Sequence, residues 1–442
     1  MKEEKDALFK YDDKPALKDI IPMGLQHVVA AVVGIVTPGI MIAGVSGLNQ
    51  SDTTLMIQTS LLFSGIATLV QVFQPFGIVG SRLPVMMGAS FAYVPVLMTI
   101  GADFGIATIF GAQLIGGVVV ILIGFFIKKI RILFPPLVTG TVILSIGLSL
   151  FPVAIKYMAG GASSDNFGSL QNWLVALVTF GIVFYLNNFS KGTLKLASIL
   201  CGMIVGYVLA LFLGMVDFEP IKNASLFQVI MPGHFGLSFK VVPIFTLIIM
   251  FIVDSVQAIG QFTATTVGAM DREPTDKELS GGIMGSGLTN VIGGFFGSVP
   301  VATFGQNVGL VSVTKVINKY VFAFASAVLI IAGVVPKIAA VLTTIPQPVI
   351  GGATISVFAT ISMTGIRMIS SQKLTPENTA VVGLSLAFGV GVALSAGCLN
   401  GFPAWVDTIF GSSEVILTTL AAVLFNLILN HGKRSKEKTE PA

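Results

Sequence analysis

Long apolar stretches dominate the chain, and short polar or charged breaks separate them. A helix needs about 20 apolar residues to cross a bilayer, with a range of roughly 17–25. On that measure the pattern predicts fourteen spans, over 20–46, 52–74, 77–99, 103–127, 135–156, 172–188, 194–216, 241–266, 279–296, 299–316, 318–341, 347–368, 377–396 and 412–430. The third and tenth are short and interrupted by proline and glycine. The expected fold is an all-α polytopic membrane protein.

Loop charge orients these spans. An even number of spans puts both termini on one side. That side receives 21 Lys and Arg residues, including Lys2, Lys5, Arg82, Arg131, Lys315, Lys319 and Lys438. The other side receives 4: Lys156, Lys222, Lys240 and Lys337. Basic residues are retained on the cytoplasmic side. The tails, 1–18 and 431–442, are therefore expected in the cytoplasm of a cell whose inner or plasma membrane holds the chain.

Composition agrees with the pattern. Hydrophobic residues make up 54% of the 442 and charged residues 10%, against about 25% charged in a soluble domain. A mean hydropathy of +0.91 leaves too little polar surface for water to be the solvent. The 49 glycines suit helices that pack closely in lipid. The net charge of +4 is accounted for by loops and tails and points to no nucleic-acid partner. Cys201 and Cys398 lie in apolar segments and read as free thiols. The first residues, MKEEKDALFKYDDKPALKD, lack the apolar core of a cleavable signal, so the first span is expected to insert and stay.

An internal repeat is visible. LPVMMGASFAYVP (83–95) resembles VPVATFGQNVGLV (299–311), aligning Pro84 with Pro300 and Ser90–Phe91 with Gln306–Asn307. FPPLVTGTVILSIGLSL (134–150) resembles IPQPVIGGATISVFATI (345–361). Seven spans per half is an odd number, so the halves run in opposite directions through the membrane. Inverted repeats of this kind mark secondary transporters, whose sites lie at short, broken spans in corresponding positions.

Spans three and ten are those positions. Pro84 and Pro300 disfavour helix in the residues before them. Residues 85–89 and 301–305 are expected to run extended, with helix resuming near Phe91 and Asn307. Extended backbone at membrane depth needs a partner or a cavity, and the two segments could pair with each other. The helices that follow would aim free N–H groups at a ligand.

Ionisable groups within spans are candidates by default. His27 stands in GLQHVVA of span one and Asp254 in IVDSVQAIGQ of span eight. Asp254, Gln257 and Gln261 share one helix face. Asp254 could couple to a cation, or it could pair with backbone or with His27. Ser286, Thr289 and Asn290 of span nine read more readily as packing contacts. No Walker loop, metal-ligand cluster or nucleophile–base pattern occurs, which argues against an enzyme or an ATP-driven pump. Transport would run on an ion or substrate gradient.

The segment Gln306-Asn307-Val308-Gly309-Leu310-Val311-Ser312-Val313-Thr314-Lys315 resembles the signature of the nucleobase–ascorbate transporters, Gln or Glu followed by Asn-x-Gly-x-x-x-x-Thr. GLQHVVA, LPVMMGASFAY, AIGQFTATT and GGIMGSGL are similar to other stretches of that family. The resemblance covers about 20–430. It implies a seven-plus-seven inverted fold with short strands in spans three and ten. It also implies a core domain (19–127 and 241–341), a gate domain (135–216 and 347–430), and often a homodimer. It implies no cofactor beyond a coupling ion, H+ or Na+. Gln306 matches the substrate-binding position, where Gln resembles the branch that carries xanthine or uric acid. Asn307 would hold the local geometry, Phe91 would contact the flat base, and groups near Ser90, Ala31 and Gly305 would add polar contacts.

The chain departs from the family at three positions. Gln257 stands where the family usually has a substrate-binding and proton-linked Glu, and its amide could still bind a base; Ser286 stands where many members have an acid, and Gln261 where many have an acid or His. Asp254 is then the mid-span carboxylate that could take over coupling. The alternatives are an uncoupled facilitator, another coupling cation, or an anion transporter or channel of related fold. A membrane sensor without transport would be expected to carry an added soluble domain.

Overall fold

A computed structural model describes residues 9–130, 134–161, 164–225, 228, 230–395, 397–403, 406–411 and 414–437. Lys2, Lys5, Arg131 and Lys438 of the charge argument lie outside the described residues. Helices fill most of the chain. In order come α1 (Leu17–Val45), α2 (Gln50–Phe73), β1 (Met87–Ala89), α3 (Val94–Phe104), α4 (Ile106–Ile130), α5 (Pro136–Met158) and α6 (Leu170–Phe189). Next are α7 (Gly192–Leu196), α8 (Ser198–Phe212), α9 (Glu219–Asn223), α10 (Val241–Met270), α11 (Asp276–Phe295) and β2 (Val301–Thr303). The chain continues with α12 (Gly305–Thr314), α13 (Lys319–Val334), α14 (Pro336–Thr343), α15 (Gln347–Ser370), α16 (Pro376–Leu394) and α17 (Glu414–Glu437).

Among the described residues, eight helices are long and apolar enough to cross a membrane, and α13 with α14 makes a ninth if the pair counts as one span. That pair is bent by 82°, so the expected span over 318–341 is two helices and not one. Pro336 opens α14 without an N–H and holds Val335 outside the helical region, at φ −98° and ψ 100°. α3, α8 and Glu414–Asn430 are shorter apolar helices.

The chain divides into two compact units, Met1–Phe125 with Ala154–Ser356, and Phe126–Val153 with Val357–Ala442. In the second unit, Gly140 and Gly147 of α5 meet Gly365 and Ser362 of α15, and a Cβ on either glycine would collide with them. Leu137, Ile369 and Val381 form its small apolar core.

The first unit is built around two strands. β1 and β2 pair antiparallel, with Met87 opposite Thr303, Gly88 opposite Ala302 and Ala89 opposite Val301. The ladder extends by one bond at each end: Ser90 N–H donates to Pro300 O at 3.3 Å and Phe304 N–H to Met86 O at 2.8 Å. Side chains satisfy the outer edges. Thr68 Oγ1 accepts from Met87 N–H at 2.9 Å. Asn290 grips Val301, its Nδ2 donating to the carbonyl at 2.9 Å and its Oδ1 accepting from the N–H at 2.8 Å. Backbone buried in hydrocarbon has no water to turn to, so each of these bonds replaces a solvent contact.

The extended segments are where the sequence predicts them, but helix resumes elsewhere. After β1 a turn over 91–93 delays α3 until Val94. Pro95 explains the delay, because its missing N–H confines it to a first helical turn. After β2, α12 begins at once with Gly305.

Ahead of α1, residues 10–13 form a strap across this unit. Buried Tyr11 donates its hydroxyl to Val72 O at 2.6 Å. Asn318 Nδ2 donates to Lys10 O and Asp13 O, both at 2.8 Å. The Asp12 carboxylate takes Lys319 Nζ at 2.6 Å and Arg82 at 2.9 Å. The bond from Lys319 holds the Asp12 carboxyl below the usual carboxylate range, against the opposing effect of burial and with help from the Arg82 charge.

Candidate binding site

The strand pair sets up the site. Each strand hands the chain to a half-helix, and antiparallel pairing makes α3 and α12 leave from opposite ends. The first amides of a helix have no intrahelical acceptor. For α12 these belong to Gly305 and Gln306, and both residues are exposed.

α12 is fixed from two sides. Asn307, wholly buried, donates from Nδ2 to His27 Nδ1 at 3.0 Å and to the His27 carbonyl at 3.1 Å. The His27 ring lies 4.5 Å from that of Phe322, centroid to centroid. At the far end Lys315 closes α12 in the left-handed region and donates from Nζ to Gly268 O at 2.7 Å. The Phe304 ring fills the space left by two missing side chains, Gly34 of α1 and Gly88 of β1.

α10 supplies the opposing wall. A Cβ on Gly305 would stand 3.3 Å from Gln261 Nε2, so Gln261 lies at the start of α12. One turn before Gln261 is Gln257, half-buried, with an Oε1 that is shielded from solvent and accepts no hydrogen bond. Buried acceptors are normally paired. One left open suits a ligand that brings its own N–H group, and the exposed Gln306 offers a second accessible carboxamide.

The other predicted residues separate by role. Ala31 is fully buried one turn beyond His27, and Phe91 is buried in the turn after β1. Ser90 Oγ accepts from Ala92 N–H at 3.3 Å and so shapes that turn. Ser286 is tied to α2: Gln71 Nε2 donates to its hydroxyl at 3.2 Å and to Gly282 O at 2.8 Å. Asp254 does not meet His27. Its carboxyl lies against the Tyr93 hydroxyl. Among the described residues no group of three or more His, Cys, Asp or Glu side chains could hold a metal ion.

Three participants are absent from the sequence reading: Tyr93, Phe304 and Asn290 as a strand partner. The stripe Ser60, Ser64 and Thr68 on α2 was also legible as a run at spacing four. Each hydroxyl bonds the carbonyl four residues back, at 2.6–2.8 Å, which hides their polarity in the helix.

Long apolar helices packed around two strands, each of which leads into a short helix, define a multi-pass membrane protein. The Permease family model matches residues 18–397, and the chain belongs to that family, the nucleobase–ascorbate transporters. It is 35% identical to the xanthine permease of Bacillus subtilis, covering 96% of each chain. It is 35% identical to uric acid permease PucJ of the same organism, covering 93% of this chain and 92% of that one. It is 33% identical to the xanthine permease XanP of Escherichia coli, covering 96% and 94%. Such relatives are carriers, not enzymes. Among solved structures, the transmembrane domain of the cyanobacterial bicarbonate transporter BicA has the same fold at 16% identity. It matches with a TM-score of 0.59 over 95% of this chain and all of that one. The murine anion transporter Slc26a9 matches at 13% identity and a TM-score of 0.64, over 96% and 70%.

Proposed function

We propose that the protein carries a purine nucleobase, xanthine or uric acid, across the cell membrane by alternating access, coupled to a cation. The observation that carries this reading is the open pair of carboxamides, Gln257 on α10 and Gln306 at the start of α12. A carboxamide donates and accepts at once, which matches the N–H and C=O groups along an oxidised purine edge. The base lies between spans one, three, eight and ten, with Phe91 against its face. Asn307 and His27 keep α12 in place, and backbone near Ala31, Ser90 and Gly305 completes the polar contacts. Family membership and the purine permeases among the relatives support the substrate class.

The fourteen-span inverted fold supplies the motion. The core domain (19–127 and 241–341) moves against the gate domain (135–216 and 347–430), both tails face the cytoplasm, and two copies associate. Gln257 takes up no proton near neutral pH, so coupling falls to another group.

Bicarbonate and anion transporters share the fold, which raises a rival reading as an anion carrier. An anion needs a nearby cation. No Lys or Arg occurs between Lys18 and Arg82, between Arg82 and Lys128, between Lys240 and Arg272, or between Lys277 and Lys315. The stretches that form the site are therefore free of basic side chains, which favours a neutral heterocycle. Uptake of radiolabelled xanthine, uric acid and bicarbonate by cells lacking their own permeases separates the readings. Purine uptake above background is expected, and bicarbonate uptake without purine uptake would overturn the proposal.

A further inference from the structure

Asp254 stands in the middle of α10 and is 7% exposed, while Tyr93 is fully buried. The buried Tyr93 hydroxyl is left without a hydrogen-bond partner, and the Asp254 carboxyl is the polar group it lies against. Their elements also touch through rings, Tyr93 against Phe251 at 5.1 Å between centroids. We propose that Asp254 and Tyr93 form the proton-carrying site of the transport cycle, distinct from the groups that hold the base. This rests on the reading of the chain as a nucleobase carrier.

The surroundings isolate the pair. α10 packs against α3, α11, α12 and β2, and against α4 where the Phe251 ring fills the notch at Gly116. From α3 and its entry turn comes Tyr93. The charged residues of α11, Asp276, Lys277 and Glu278, sit in its first turn, where Glu278 is engaged by Arg272. α12 and β2 bring none to face Asp254, since Lys315 ends on Gly268 O. α4 carries Lys128 and Lys129 at its last residues. Among the described residues, Tyr93 is thus the titratable group that faces Asp254, and no cation pairs with it.

A carboxylate buried without a cation is costly in a bilayer, and a bound proton removes the charge. A metal cation would need several oxygen ligands. Here the neighbouring Ser255 hydroxyl is committed to Phe251 O at 2.7 Å, and the Tyr93 phenol faces the carboxyl. A carboxyl facing a phenol suits a proton. When the site opens to one side, a carboxylate oxygen forms an O–H bond with a proton from water. When it opens to the other, that bond breaks and the proton returns to water. No other covalent bond changes. Tyr93 can donate to the carboxylate and accept from the acid, so it can serve both states.

The pair also reaches the base. Tyr93 N–H donates to Ser90 O at 3.3 Å, closing the turn that carries Ser90 and Phe91. Asp254 is one helical turn from Gln257. Protonation therefore changes how the Tyr93 hydroxyl is held in the turn that borders the base.

The test uses the purified full-length protein in weakly buffered detergent with a pH-indicator dye. Xanthine addition to wild type is expected to take up protons, with an affinity that depends on pH. Asp254→Asn is expected to bind xanthine with proton uptake lost and a flat pH profile. In liposomes it exchanges labelled xanthine at equal concentrations but no longer accumulates it on a pH gradient. Asp254→Glu retains proton uptake, and Tyr93→Phe displaces the midpoint of the profile without abolishing it. Wild-type-like proton uptake by Asp254→Asn, or xanthine binding by wild type with no proton taken up, would overturn the proposal. A wild type that binds no purine at any pH would instead remove the carrier reading beneath it.

Discussion

Asn290 treats Val301 as a third strand would, bonding both its N–H and its carbonyl with one carboxamide. A side chain on α11 thereby completes the ladder that sets the start of α12. Asn290→Ala leaves two buried backbone groups unpaired, each costing about 1–3 kcal/mol. A clear fall in melting temperature with loss of purine binding is expected. Asn290→Asp, which keeps the acceptor and loses the donor, should fall between. A wild-type melting curve for Asn290→Ala would show that the edge is satisfied another way.

Gln306 and Gln257 should behave oppositely to Asn290. Neither is needed to hold the fold, since Gln306 is exposed and Gln257 Oε1 is unpaired. Alanine at either position should weaken purine binding about 10–100-fold, the worth of one or two lost hydrogen bonds. The melting temperature of the ligand-free protein should stay level, or rise for Gln257→Ala. Calorimetric titration paired with thermal melts reads both quantities on one sample.

Phe304 occupies room that glycine leaves at 34 and 88. Gly34→Ala puts a methyl group into the ring, and overpacking of this kind costs typically 1–3 kcal/mol. Phe304→Leu in the same chain should restore part of the lost stability, because the smaller side chain vacates the contact. Gly309→Ala is the control: a Cβ there meets nothing within 4 Å, so it should be tolerated.

Acid should release the strap at Asp12. Its folded carboxyl sits below the usual range, so it favours the folded state above that range. The contribution is lost as pH falls below about 4, through the depressed value. Asp12→Asn should lower the melting temperature slightly at pH 7, and the difference should vanish in stronger acid. The effect should be small, since Asp12 is half exposed and screened. A difference that grows on acidification would contradict the assignment.

Much of this was legible in residue order. Apolar run lengths locate the long helices, although eight of that length, or nine with the bent pair, stand among the described residues against fourteen expected spans, and Pro84 and Pro300 mark the extended segments. The signature around Gln306 points to the half-helix that opens on the site. Other features depend on partners far apart in sequence. Nothing local pairs Met87 with Thr303, Asn290 with Val301 or Asn307 with His27. Asp254 was visible as a buried carboxyl, yet its choice of Tyr93 over His27 follows from packing. The bend at Val335 is a different case: Pro336 was in plain view, but a kinked helix and a broken one look alike in hydropathy.

The strand register has a consequence for biogenesis. Met87 and Thr303 are 216 residues apart. At about 5–20 residues per second, a ribosome needs roughly 10–40 s to make the second strand after the first. Throughout that interval the edge of β1 that later meets β2 has no mate within its own half of the chain. Thr68 can occupy one edge as soon as α2 and β1 have been made, because they are neighbours in sequence. The other edge must borrow hydrogen bonds from water, the insertion machinery or a chaperone until the second half arrives. Substitutions that slow synthesis or insertion between α4 and α11 should therefore reduce the yield of folded protein without changing a single contact in the finished molecule.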